Sequence, residues 1–142
     1  MNLKNENDFE NVREKFFNFL LKKPATFKQA AEYLKRFELT DENKNLLLDN
    51  AANMSLIDDS AYAKLFVDGH LMWGNAKITY ELSTRGISRE DINNALDDSE
   101  DETSRACELS ENWRRLGLDD RKIINRLLSR GFSHNAARSS LE

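Results

Sequence analysis

Apolar residues recur at helical spacing along nearly the whole chain. Phe9, Val12, Phe16 and Leu20 step by three and four, which places them on one face of a helix predicted over Glu6 to Lys22. Pro24 disfavours helical geometry at Lys23 and ends that run. Thr26 and Gln29 have capping-box spacing, so a second helix is expected there with Phe27, Ala30, Ala31 and Leu34 on its buried face. Thr40 or Asp41 caps a third, carrying Leu46, Leu47, Ala51 and Met54. Asp58 or Asp59 is placed to cap a fourth, with Tyr62, Ala63, Phe66 and Val67. The pattern loosens from Gly69 to Asn75, which predicts a connection. Ile78, Tyr80 and Leu82 then mark a fifth helix, and Ser88 to about Asp97 a sixth. Ala106, Leu109 and Trp113 mark a seventh. Ile123, Ile124, Leu127 and Leu128 mark an eighth, and a last helix is expected to end at Leu141. No stretch alternates as a strand would, so the fold class is all-α.

The pattern repeats. Displaced by 45 residues, Lys77-Ile78 falls on Lys122-Ile123, Leu82 on Leu127, Arg85-Gly86-Ile87-Ser88 on Arg130-Gly131-Phe132-Ser133, and Leu96 on Leu141. A fainter copy lies upstream, with Ala30, Leu34, Leu39 and Thr40 in equivalent places but Phe37-Glu38 where Arg-Gly would stand. The expected organisation is an N-terminal helical extension over 1–24 and a degenerate, truncated first repeat over 25–56. Three-helix repeats follow over 57–98 and 99–142.

The doubled Arg-Gly-apolar-Ser element reads as a helix-to-helix corner. Glycine adopts the left-handed conformation that ends helices, and the serine two positions on is a preferred N-cap. Ile87 before the cap and Ile92 inside the helix have the spacing of a hydrophobic staple. The arginines allow two readings. A cation in a last helical turn is favourable against the helix dipole by about 0.3–1 kcal/mol. Alternatively, Lys122, Arg126 and Arg130, four apart, present a basic row to phosphate or to an acidic protein surface.

Charge sharpens this picture more than composition does. The 142 residues carry net charge −4, unevenly spread. Glu90 to Ser104 holds seven carboxylates and no basic residue, whereas Arg105 to the end holds eight basic residues against five acidic, a net +3. The single cysteine, Cys107, excludes an internal disulfide and agrees with a reducing compartment. His70 and His134 lie far apart without metal-site spacing, so neither a metal nor a cofactor is expected. Asp58-Asp59 and Asp119-Asp120 stand where caps belong, and adjacent helical residues do not face each other, so catalysis is not expected. Trp73 and Trp113 read as packing anchors. The apolar run FFNFLL is far short of the ~20 residues of a membrane span and lacks signal-peptide flanks. A cytoplasmic monomer without membrane contact is expected.

Three stretches, LIDDSAYAKLFV, KITYELSTRGISREDINNAL and KIINRLLSRGFS, resemble the RecX family, bacterial regulators of the RecA recombinase. The resemblance covers about Ala30 to Leu141. It implies tandem three-helix repeats in an elongated, curved array, right-handed or similar. It also implies a regulator without catalysis of its own that binds in the groove of a RecA–DNA filament. There it restrains filament extension, ATPase, strand exchange and SOS co-protease activity, and so homologous recombination and DNA repair. Weaker direct contact with single- or double-stranded DNA would accompany this. Fold-defining positions are Asp58, Asp59, Leu82, Gly86, Ile87, Ser88, Leu127, Gly131, Phe132 and Ser133. Candidate RecA or DNA contacts are Lys77, Arg85, Arg89, Arg114, Arg115, Arg121, Lys122, Arg126, Arg130 and Arg138. Two rival readings are a helix-turn-helix DNA-binding regulator and a helical-repeat scaffold for another protein. The acidic start of the helix after Gly86 is a poor face to offer phosphate, which argues against the first rival.

Overall fold

The structure is a computed structural model that describes residues 6–142, with side chains from Asp8 onward. Residues 1–5 of the expected N-terminal extension lie outside the described residues. The described residues form nine helices and no strand. In order these are α1 (Glu6–Lys22), α2 (Phe27–Leu34), α3 (Asp41–Asn53), α4 (Asp59–Asp68), α5 (Asn75–Thr84), α6 (Arg89–Asp97), α7 (Glu102–Arg115), α8 (Asp120–Ser129) and α9 (His134–Ser139). The caps are those the polar residues suggest. Thr26 makes a full capping box with Gln29, and Thr40, Ser88, Asp101, Asp119 and Ser133 each accept from the backbone amide three residues on. At α4 the carboxylate of Asp58 accepts from Ala61 at 3.0 Å.

The chain divides into two compact units. The first runs to Tyr62 and includes Arg85–Ile87; the second comprises Ala63–Thr84 and Ser88–Glu142. The first unit packs Val12, Phe16 and Leu20 of α1 with Ala30 and Leu34 of α2, Leu47, Leu48 and Ala51 of α3, and Ile57. In the second unit, α7, α8 and α9 pack mutually around Ala106, Leu109, Trp113, Ile123, Leu127, Phe132, Ala136 and Ala137. Ile78 and Leu82 of α5 and Ile92 and Ala95 of α6 are buried as well.

Several expected core positions turn outward. Phe27 is 45% exposed, Leu46 47%, Met54 60% and Tyr80 67%. On α3 the buried stripe runs through Leu47, Leu48 and Ala51, so Leu46 falls off its edge, and Met54 lies beyond the helix as its C-cap. Phe27 is the first residue of its helix, where the chain enters from outside the core. The last helix stops at Ser139, two residues short of Leu141, where Leu141 bonds back to Arg138 in a tighter turn.

Candidate partner-binding surface

Both Arg-Gly corners turn as expected, with φ of 85° at Gly86 and 91° at Gly131. After α8 the corner closes as a Schellman motif: Phe132 N donates to Leu127 O at 3.0 Å and Gly131 N to Leu128 O at 3.0 Å. Each corner also docks onto the start of an earlier helix. In the first unit, Thr26 Oγ1 donates to Arg85 O at 2.6 Å, and a Cβ on Gly86 would lie 2.5 Å from Lys28 Cβ. In the second, Gly74 N donates to Arg130 O at 2.8 Å and Ala76 N to Gly131 O at 3.2 Å, while a Cβ on Gly131 would lie 2.5 Å from Lys77 Cβ. A carboxylate completes each joint. Asp59 Oδ1 accepts from Phe27 N at 2.9 Å, and Glu102 Oε2 accepts from Asn75 N at 2.7 Å. Glycine is required twice over here, by the positive φ and by the close approach of another helix end.

Arg105 ties the second joint from beneath. It is 3% exposed, and its guanidinium donates to the carbonyls of Glu100, Leu71 and Trp73 and to Asn75 Oδ1. Its guanidinium carbon lies 5.6 Å from the Phe132 ring. Burial lowers its affinity for the proton, and Glu102, Glu100 and Asp101 oppose that, so it remains a cation. Asp101 is held below the usual carboxylate range, chiefly by the hydrogen bond from Ser104 N. Arg105 was not among the expected contacts. Its signal in the sequence is an arginine in line with Leu109 and Trp113 at steps of four on the buried stripe of α7.

The expected contact residues have different surroundings. Arg126 and Arg130 converge on Trp113, with guanidinium carbons 5.6 and 5.1 Å from its ring. Lys122, exposed, continues that row one turn earlier, with Arg121 beside it. Arg114 is drawn into an ion pair with Asp120 at 3.1 Å and bonds to Leu141 O. Lys77 lies with its ammonium 4.3 Å from the Trp73 ring at the second joint. Arg85 is half-buried, and Arg89 is exposed at the start of α6. Arg115 and Arg138 are exposed at the ends of α7 and α9. Trp113, 7% exposed, is both a core residue and the ring on which the basic row rests.

Residues 58–96 match the family described as RecX, second three-helix domain. The regulatory protein RecX of Lactococcus lactis subsp. lactis (strain IL1403) is 32% identical over 139 residues, covering 84% of this chain. That of Lactobacillus delbrueckii subsp. bulgaricus (strain ATCC BAA-365 / Lb-18) is 29% identical over 132 residues, covering 85%. This chain belongs to the RecX family. It spans about half the length of these curated RecX relatives, 50% and 49% respectively. The RecX fold is seen in the crystal structure of RecX from Lactobacillus salivarius, which matches with a TM-score of 0.83 at 22% identity and covers 95% of both chains. These RecX relatives are named regulatory proteins. Among the described residues no helix is long and apolar enough to cross a membrane.

Proposed function

We propose that this RecX-family chain binds a RecA–DNA filament and restrains its extension, ATPase, strand exchange and co-protease activity without chemistry of its own. Family membership supports the reading, and the observation that carries it is the Lys122–Arg126–Arg130 row along α8 and its C-cap. Two of its guanidinium groups rest on the Trp113 ring. A cation held against a ring is ordered before a partner arrives, so less side-chain entropy is lost on contact. A repeat array presents such groups at fixed positions, which suits a partner that is itself periodic.

RecA ATPase on single-stranded DNA, titrated with this protein, tests the proposal. Arg126→Glu with Arg130→Glu should raise the half-inhibiting concentration about tenfold or more, as charge reversal at an electrostatic interface does. Lys122→Glu with Arg126→Glu leaves Arg130 on Trp113 and should weaken inhibition similarly, which separates lost contact from lost packing. Wild-type inhibition by both variants would show that the row is not the contact.

A further inference from the structure

The turn between α1 and α2 puts two large apolar side chains into solvent. Leu20 is buried on the core stripe of α1, while Leu21, one position on, is 68% exposed. Phe27, the first residue of α2, is 45% exposed. Between them Ala25 and Thr26 are buried, so the turn is anchored and the fold holds its exposed residues outward.

Lysines accompany these side chains. Lys22, Lys23 and Lys28 are exposed, and among the described residues none of the three is ion-paired. From Lys15 to Ala31 the sequence holds four lysines and no carboxylate. Asp59 reaches this stretch from α4 and is engaged there, accepting from Phe27 N at 2.9 Å. More widely, Arg13 to Arg36 holds seven basic residues and two acidic ones, a net +5, so the rest of a chain of net −4 carries −9. The dipole of α1 accounts for Lys22 in its last turn, but not for three lysines beside two exposed apolar groups. The shape of the feature selects its partner. Lys15, Lys22, Lys23 and Arg36 line two adjoining shallow clefts of about 400 and 350 Å³, whereas Leu21 and Phe27 line neither. They stand at a helix-to-helix turn, where a rigid partner would have to supply the pocket itself. A bilayer interface takes up such side chains without one.

We propose that the α1–α2 turn docks on an anionic phospholipid bilayer. Leu21 and Phe27 enter the headgroup boundary, and Lys22, Lys23 and Lys28 meet the lipid phosphates. The expected lack of membrane contact followed from span length. Lying on a bilayer takes only a few exposed apolar groups and an electrostatic attraction. The turn shares no residue with the basic row at α8 and needs no RecA, so it stands or falls apart from the filament reading.

The test is co-sedimentation of the full chain with lipid vesicles. Vesicles of phosphatidylcholine with about 30% phosphatidylglycerol should bind it at about 20 mM salt, at least about tenfold more tightly than pure phosphatidylcholine, and release most of it at about 300 mM. Lys22→Glu with Lys23→Glu should lose at least about tenfold, since each cation near such a surface contributes roughly fivefold. Leu21→Ser leaves the charge unchanged and should lose about threefold or more. Leu21→Trp should bind at least as tightly as wild type, with its added emission shifted to the blue on vesicles. These positions are exposed, so the variants should melt as wild type does. Three results would overturn the proposal: no binding at low salt, equal binding to uncharged vesicles, or wild-type binding by Leu21→Ser. The last, with binding lost on charge reversal, would mean that the lysines meet any polyanion and the apolar groups play no part. Concentration-dependent self-association without lipid, lost on charge reversal, would also overturn it and assign the turn to an acidic stretch of a second copy.

Discussion

Gly117 has φ 94° and nothing within 4 Å of where a Cβ would stand, whereas a Cβ on Gly131, at φ 91°, would meet Lys77 Cβ at 2.5 Å and Lys77 N at 2.7 Å. Both glycines close Schellman turns, since Leu118 N donates to Trp113 O just as Phe132 N donates to Leu127 O. Gly117→Ala should therefore cost only the left-handed backbone penalty, about 1 kcal/mol. Gly131→Ala adds overpacking against a helix end and should cost about 3 kcal/mol in all. Urea unfolding of the two variants measures the difference, and equal losses would mean that the second joint is not packed as described. Ser55 turns the chain at the end of α3 with φ 59°, and Leu56 N donates to Ala51 O there. A glycine would hold that backbone without a Cβ clash, so Ser55→Gly should stabilise the protein by about 0.5–1 kcal/mol. At this scale the turns at Gly86 and Gly131 are legible in sequence because one residue type serves one backbone conformation. Arg105 is not, because what it satisfies lies some 30 positions away in the chain at Leu71, Trp73 and Asn75.

Helix α2 shows how one element is fixed by two sets of bonds. Thr26 is fully buried; its Oγ1 accepts from Gln29 N at 3.1 Å and donates to Arg85 O at 2.6 Å. The local bond starts the helix, and the distant one sets that start against the Arg85–Ile87 corner. Thr26→Val keeps the shape and removes both bonds, leaving the part-buried Gln29 amide and Arg85 carbonyl without that partner. It should cost about 2–3 kcal/mol, while Thr26→Ser, which retains the hydroxyl, should lose under about half of that. Thermal melts of the pair distinguish the hydroxyl from the methyl, and equal destabilisation would deny it a bridging role. The start of α2 was readable because a capping box is a short pattern. Its docking was not, because nothing near Thr26 in the chain encodes Arg85. The same limit explains α3, where two neighbouring leucines are chemically alike and packing buries Leu48 while leaving Leu46 out.

For the molecule as a whole, net charge is a poor guide to what the surface offers. A sequence isoelectric point of about 5.3 predicts exclusion from a cation exchanger at neutral pH. The +5 concentrated between Arg13 and Arg36 predicts the reverse at low ionic strength, where exposed charges are least screened. Retention on a sulfonate resin at about 10–20 mM salt is expected, with loss of retention for Lys22→Glu with Lys23→Glu and Arg36→Glu. Flow-through of the wild-type protein would mean that the carboxylates elsewhere cancel that field. The C-terminal third, at net +3, is the weaker of two basic regions. The stronger one emerges once α1 and α2 bring Lys15, Lys22, Lys23 and Arg36 around the same pair of clefts.

The sequence by itself determined the helices, their caps, the left-handed corners and the near repetition over 45 residues. Each rests on spacing or on a single residue's conformational preference, and both act within a few positions of the chain. Only the tertiary structure decided what the doubled Arg-Gly is for. Each corner's carbonyl accepts a hydrogen bond at an earlier helix start, from Thr26 in one case and Gly74 in the other. Those partners are more than 50 residues away, and hydrogen bonds at that separation leave no periodic trace. The tertiary structure likewise turned Arg126 and Arg130 onto Trp113 and took Lys77 and Arg105 into the second joint. Of the ten basic residues singled out in the sequence, Arg126 and Arg130 share one ring, Lys77 and Arg114 are tied within the fold, and Arg89, Arg115, Arg121 and Arg138 stand exposed.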